Sequence, residues 1–368
     1  SSHLWTKFYP VLVRVIRKGI CGTQATVLYM ILSSWLLLST CDAVVLQGKV
    51  DTTPQPLKLH QLPVVDKACT KCCHHGEEVV PCLDVDKCAQ NGPANGKYAI
   101  AMSFVDKVGG MSRMSLPNIK SMEAAAKMAN NADLLMAMQK SDRENMTAYQ
   151  KELFKSYSVK LVDVDWAIPP KMKAYQEAPL ARCARQDFIR MHFLGMEGYD
   201  AIAYYDNDVE IQGDITPILR CAASGKFLST NGPLAPLNLG FFALKPDKRL
   251  FQASLNFALR ANYSDNTGWG EMGPAPAGAR FADADGGQGF WYALFYKSGG
   301  AAQRALQSAG LSSVDASQID RCIWNYQKRD GCKEDLDCRH VRVHHKPTWR
   351  ADHPSKDCQK LAFQERHH

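Results

Sequence analysis

From Lys97 onward the chain alternates short, uninterrupted apolar runs with amphipathic stretches. Tyr98-Ala-Ile-Ala-Met-Ser-Phe-Val105, Asp133-Leu-Leu-Met-Ala-Met138 and Val159-Lys-Leu-Val-Asp-Val164 have the length and composition of buried strands. Between them, Pro117 opens an Ala- and Met-rich segment that suits a helix with Pro in its first turn. Ser141-Asp-Arg-Glu144 reads as a capping box ahead of a helix with Met146, Tyr149, Leu153 and Tyr157 on one stripe. A further helix over about residues 180–196 leads to the run Ala201-Ile-Ala-Tyr-Tyr205. The segment after Asp247 suits a helix with Leu250, Phe251, Leu255, Ala258 and Leu259 on one face. Strands and helices alternating at these lengths predict an α/β fold, a Rossmann-like, mostly parallel sheet with helices on both faces. Ligands bind such sheets outside the carboxyl ends of the strands.

The strand pattern at Ala201–Tyr205 stops abruptly at Asp206-Asn207-Asp208. Carboxylates are rarely buried unless paired or bound to metal, so two of them abutting an apolar strand need a partner. A divalent cation that also binds a diphosphate would supply one. A calcium loop starting at Asp206 is excluded, because its sixth and twelfth positions hold Ile211 and Pro217 instead of Gly and Glu. No Gly-x-Ser-x-Gly elbow or P-loop occurs.

Upstream the pattern changes. Gly19 to Cys41 contains no charged residue, follows Lys7, Arg14, Arg17 and Lys18, and precedes Asp42. As a helix it would span roughly 35 Å, enough for a bilayer core of about 30 Å. The basic flank puts the N-terminus in the cytosol and the rest in a lumen. The reading is a type II signal anchor at 19–41 after a basic tail at 1–18, with a cleaved signal peptide as the alternative. Removing those four basic residues from 44 leaves 40 against 37 acidic ones, a nearly neutral body that argues against nucleic acid as a partner. Residues 42–97, rich in Cys and Pro, read as a luminal stem, 98–350 as the catalytic domain and 351–368 as a tail. Eleven of the 13 cysteines lie beyond Cys41, which in a lumen favours disulfides. A zinc site at Cys69, Cys72, His74 and His75 is the rival reading. Asn145-Met-Thr147 and Asn262-Tyr-Ser264 are glycosylation sequons.

Four motifs then occur in order. Arg190 stands sixteen residues before Asp206; Leu237-Asn238-Leu-Gly240-Phe-Phe follows the acids; next come Asp285-Gly-Gly-Gln288-Gly-Phe and His344-His345-Lys346-Pro-Thr-Trp349. In this order the chain from Tyr98 to Trp349 resembles the glycogenin-like glycosyltransferases of family 8. The resemblance implies a GT-A fold and retaining transfer of a hexosyl unit from a nucleotide-diphosphate sugar, a UDP-sugar as first choice, to a glycan or protein hydroxyl. It implies Mn²⁺, with Mg²⁺ as the alternative, held by Asp206, Asp208 and a histidine: His344 as first choice, His345 second, His340 third. Arg190 and Lys346 would offset diphosphate charge, and Asn207 and Gly240 would line the donor site. Asn238 would contact the donor sugar and Gln288 the anomeric centre. Gly287 stands where the family has Asp, so Asp283 or Asp285 would substitute for it. The expected setting is a Golgi or other secretory-pathway membrane, with oligomeric state left open. The competing expectation is a luminal carbohydrate-binding protein or inactive relative whose Cys-rich segment makes the interactions.

Overall fold

The computed structural model describes residues 72–75, 78–104, 116–164, 188–232, 235–264, 267–270, 284–327, 332 and 341–345. The chain divides into two units, Ser1–Leu59 and His60–His368, and every described residue belongs to the second. The expected membrane anchor, the first part of the stem and the C-terminal tail lie outside the described residues. Among the described residues no helix is long and apolar enough to cross a membrane.

The strands are β1 (Cys72–His75), β2 (Glu78–Pro81), β3 (Tyr98–Phe104), β4 (Asp133–Met138), β5 (Lys160–Asp163), β6 (Ala201–Tyr205), β7 (Val209–Ile211), β8 (Lys226–Gly232), β9 (Ala235–Leu244), β10 (Tyr263–Ser264), β11 (Gly268–Trp269), β12 (Asp315–Gln318) and β13 (Val343–His345). The helices are α1 (Val85–Ala89), α2 (Leu116–Met128), α3 (Lys140–Glu144), α4 (Ala148–Ser156), α5 (Thr216–Ala223), α6 (Lys248–Arg260), α7 (Gly287–Phe295), α8 (Gly300–Ser308) and α9 (Arg321–Trp324).

Seven strands form the central sheet in the order β12-β8-β9-β6-β3-β4-β5. Pairing is parallel from β6 through β3 and β4 to β5 and between β12 and β8; β9 runs antiparallel to both β6 and β8. The continuous apolar runs follow from burial on both faces. Alternate residues of β3 go to different cores: Ala99 and Ala101 to one; Tyr98, Ile100, Met102 and Phe104 to the other. β6 divides the same way, with Ile202 and Tyr204 against Ala201, Ala203 and Tyr205. The first core is closed by residues of α6, α7 and α8, the second by residues of α1, α2 and α5.

Several sequence expectations shift in register. The capping box lies at Thr147 and Gln150, which bond each other's backbone N–H at the start of α4, whereas Ser141–Glu144 lie within the short helix α3. Thr147 can cap because its backbone is extended there, as an N-cap requires. The last part of the helix expected over about 180–196 is a 3₁₀ segment, Arg190–Gly195; residues 180–187 are outside the described set. α6 buries Leu250, Ala253, Phe257 and Ala258, while Leu259 is 45% exposed, one position off the buried stripe.

The described part of the expected stem packs into the domain. Val85 and Cys88 of α1 are buried in the second core, and a Cys88–Cys221 disulfide joins α1 to α5. The hairpin of β1 and β2 is closed by Cys73–Cys82, and the backbone N–H of Leu83 donates to Gln318 of β12. Cys73 therefore serves as a disulfide half.

Candidate functional site

The site lies where β6 leaves the sheet. β6 runs parallel to β3, and the chain turns through Asp206-Asn207-Asp208 into β7, with the Val209 N–H donating to the Asp206 carbonyl at 3.2 Å. The turn is anchored on several sides. The Asp206 N–H donates to the Gly240 carbonyl on β9 at 3.0 Å, and the Asn207 amide donates to the Ser103 carbonyl on β3 at 2.9 Å. From α2, the Asn118 amide donates to the Val209 carbonyl and the Ser121 hydroxyl accepts from Ile211 N–H at 3.1 Å. Asn207 is therefore a buried structural tie at the tip of the sheet, with its Oδ1 lacking a hydrogen-bond partner among the described residues.

The third ligand candidate comes from far along the sequence. β13 pairs antiparallel with β7, setting Val343 against Ile211, His344 against Glu210 and His345 against Val209. Consecutive residues of a strand point to opposite faces, so one of the two histidines can reach the acids. That residue is His345, whose Nε2 lies 3.2 Å from Asp208 Oδ1. Ligand-capable atoms of Asp206, Asp208 and His345 all lie within 4.8 Å of one another. His344, the first choice from sequence, is not in that group. It is fully buried on the other face, with its ring 5.3 Å from that of Tyr326.

Gly240 makes room for this arrangement. A Cβ there would fall 2.3 Å from His345 Cε1 and 2.8 Å from Nδ1. The close approach expected of this glycine is thus to the His345 ring. Asn238, two residues earlier, turns its Oδ1 back to accept the Gly240 N–H at 2.8 Å.

Asp206 Oδ1 accepts from the Tyr204 hydroxyl at 2.9 Å and lies 3.3 Å from the Arg190 guanidinium. Arg190 also donates to the Leu239 carbonyl and lies over the Tyr204 ring, 4.7 Å from its centroid. It is 3% exposed. The residue expected to clamp phosphate is thus enclosed, and it braces the first acid against β9. Burial pushes the Tyr204 phenol up, with Asp206 adding to the rise and Arg190 opposing it, so the hydroxyl remains a donor. Ser103 completes the network, its hydroxyl 2.8 Å from that of Tyr204.

The donor set fits a divalent cation. Two carboxylates and one imidazole can together ligate a divalent metal ion, and an Asp oxygen facing a ring nitrogen at 3.2 Å needs a proton or a cation between their lone pairs.

Gln288 lies in the first turn of α7, which packs on β9, and Asp285 is exposed just before it. Gly289 is required there, since a Cβ would meet the Ala284 carbonyl oxygen at 1.8 Å. Asp285 is not among the carboxylates that converge on the site. Asp283, His340, Lys346 and Trp349 lie outside the described residues. Ser103, Thr230 and Asn325 escape sequence reading, because each is an isolated polar position whose partner is distant in the chain.

No family model matches the chain, and no curated protein matches it in sequence. Among solved structures it is similar to the galactosyltransferase LgtC in complex with donor and acceptor sugar analogs, at 11% identity and TM-score 0.38, covering 72% of this chain and 94% of that one. Mouse xyloside xylosyltransferase 1, in its apo form, is similar at 14% identity and TM-score 0.40, covering 68% and 98%. The glycosyltransferase GlyE of Streptococcus pneumoniae TIGR4 is similar at 11% identity and TM-score 0.40, covering 70% and 56%. Likenesses at this level carry no functional inference.

Proposed function

We propose that the chain is a divalent-metal-dependent glycosyltransferase of the GT-A type, similar to the glycogenin-like family 8. It would transfer a hexosyl unit from a nucleotide-diphosphate sugar, a UDP-sugar in the first instance, to a glycan or protein hydroxyl with retention of configuration. The observation that carries this reading is the convergence of Asp206, Asp208 and His345 beyond the carboxyl end of β6, the middle strand of a mostly parallel sheet. The ordered motifs from Arg190 to Lys346 supply the rest.

Asp206, Asp208 and His345 would hold Mn²⁺, which when bound supplies Lewis-acid stabilisation of the departing diphosphate. The chain's own residues prepare that position. Arg190 and Tyr204 hold Asp206 in one rotamer, and the Asn207 tie to β3 fixes the turn between the two acids. Lys346 would add a cationic donor for phosphate oxygens. Asn238 and Gln288 would bind the sugar, with Gln288 orienting the anomeric centre and not serving as a base, since an amide does not titrate. Asp285 would take the place of the acid that Gly287 lacks.

The second reading, a carbohydrate-binding or inactive relative, is favoured by Gly287 and by the exposure of Asp285. A screen of the full chain against UDP- and GDP-sugars, with and without Mn²⁺, separates the two. Metal-dependent donor hydrolysis supports the enzyme, and donor binding without turnover supports the alternative.

A secretory-pathway membrane, Golgi or another, with the domain luminal and the anchor at 19–41, is proposed as the setting. Three disulfides, Cys73–Cys82, Cys88–Cys221 and Cys322–Cys332, fit an oxidising compartment. Alkylation of the purified protein with and without reductant tests this. Protection of at least these six cysteines until reduction is the expected result.

A further inference from the structure

We infer that Asn325 is a positioning residue for His345, fixing the ring tautomer that leaves Nε2 free to bind a metal ion. The inference rests on the metal-site reading above and extends it to a residue outside the ligand set. His345 Nδ1 lies 3.1 Å from Asn325 Oδ1. The opposite end of the same amide is committed, since Asn325 Nδ2 donates to Thr230 Oγ1 at 2.8 Å. Asn325 is 1% exposed and Thr230 is fully buried, so water does not compete for either group. A carbonyl oxygen only accepts, so the bond to His345 exists only when Nδ1 carries the hydrogen. The neutral ring then has its lone pair on Nε2, the atom that faces Asp208. An outer partner on the distal ring nitrogen is the usual device for orienting a metal-bound histidine.

A second group competes for the same nitrogen. Gln327 Nε2 lies 3.0 Å from His345 Nδ1, and an amide N–H there would favour the opposite tautomer. Gln327 is half-buried, so its amide can rotate or bond to water, whereas Asn325 is held by Thr230. The segment carrying Asn325 is also registered directly on β13. The His345 N–H donates to the Tyr326 carbonyl at 2.9 Å, the Tyr326 N–H to the Val343 carbonyl at 3.0 Å, and the Arg342 N–H to the Ile323 carbonyl at 2.8 Å. These bonds set Asn325 beside the ring whatever the state of Gln327.

The test uses the full chain and Mn²⁺ alone, with binding followed by calorimetry or by loss of the free-ion electron paramagnetic resonance signal. Thermal unfolding without metal is recorded for every variant. Asn325→Ala is expected to weaken Mn²⁺ binding by about 10- to 100-fold. Asn325→Asp still accepts from Nδ1, and the Thr230 hydroxyl can rotate to donate to it, so binding within about threefold of wild type is expected. A purely structural role predicts the reverse for Asp, which introduces a buried charge and removes both amide donors. Wild-type affinity in Asn325→Ala, or equal weakening in both variants, overturns the inference. If Asn325→Ala does not fold, Asn325→Asp decides alone: retained binding supports the role and lost binding overturns it. A wild-type chain that binds no Mn²⁺ sinks the metal-site reading itself and this inference with it.

Discussion

Gly240→Ala puts one methyl group into the tightest contact around the candidate metal site. The new Cβ would lie 2.3 Å from His345 Cε1, whereas ordinary contact begins at 3.4 Å, so ring and strand must separate by about 1.1 Å. Gly240 is not among the residues with positive φ, so the effect is steric and not conformational. The ring has few ways to retreat, because its backbone N–H is bonded to Tyr326 and its Nδ1 faces Asn325. Moving it therefore displaces Nε2 from the carboxylates by several times the roughly 0.2 Å that metal–ligand distances tolerate. Overpacking of this kind costs about 1–3 kcal/mol, a fraction of the roughly 5–15 kcal/mol that keeps a domain folded. The variant should fold, with its melting temperature lowered by several degrees, and should bind Mn²⁺ at least about tenfold more weakly, equivalent to about 1.4 kcal/mol. Calorimetric titration of Mn²⁺ into the folded variant checks this. Wild-type affinity would refute the claim that Gly240 is reserved for His345.

The two adjacent histidines should separate cleanly in the same titration. His345→Ala should abolish Mn²⁺ binding, whereas His344→Ala should destabilise the fold by about 2–4 kcal/mol through its lost ring and leave affinity within a few-fold. The reverse pattern would restore His344 as the ligand. Thr147→Ala removes the side-chain half of the α4 capping box and should cost about 1 kcal/mol by denaturant unfolding without changing Mn²⁺ affinity. A loss below about 0.3 kcal/mol would mean the cap contributes nothing there. Burial pulls the His192 imidazole down to about 4 from its ordinary 6.5. Between those values the unfolded chain binds the extra proton, so stability is full above about pH 6.5 and falls as pH drops towards 4, by at most about 1.4 kcal/mol per pH unit. His192→Phe should flatten that part of the stability profile, and an unchanged slope would assign it to other groups.

The strands β3, β4 and β6 were legible because they are buried on both faces and so read as unbroken apolar runs, whereas β5, expected as a buried strand, exposes Lys160 and Asp163, and β8 and β12 carry too many polar residues to give that pattern. The ends of β3, β4 and β6 fall within a residue of the pattern. α6 was legible too, but its exact stripe was not, since Leu259 at the helix end is apolar and solvent-facing. The displaced capping box shows the limit of local motifs. Ser141 and Glu144 have the right spacing, yet Thr147 has the extended backbone that a cap requires. Tertiary packing decided between them.

At the candidate site, the pairing of Asp206 and Asp208 was legible from a strand ending in acids. The choice of histidine was not, because it depends on the parity of the pairing between β13 and β7, a long-range register that the local sequence does not encode. Arg190 illustrates the other gap. Its spacing from Asp206 marked it as part of the site, but only its enclosure by Tyr204, Leu239 and Asp206 shows that it holds a carboxylate. Asn325 has no sequence signature at all. It joins the candidate site through a hydrogen bond across 20 residues to His345 and another across 95 to Thr230.

The central claim is that Asp206, Asp208 and His345 form a metal site on which sugar-nucleotide chemistry depends. Donor hydrolysis by the full chain, measured across UDP- and GDP-sugars with and without Mn²⁺ and repeated with Asp208→Asn, tests it most directly. The expected result is hydrolysis of at least one donor that requires Mn²⁺ and disappears in Asp208→Asn at an unchanged melting temperature. Turnover that persists in Asp208→Asn, or that is indifferent to Mn²⁺, would contradict it.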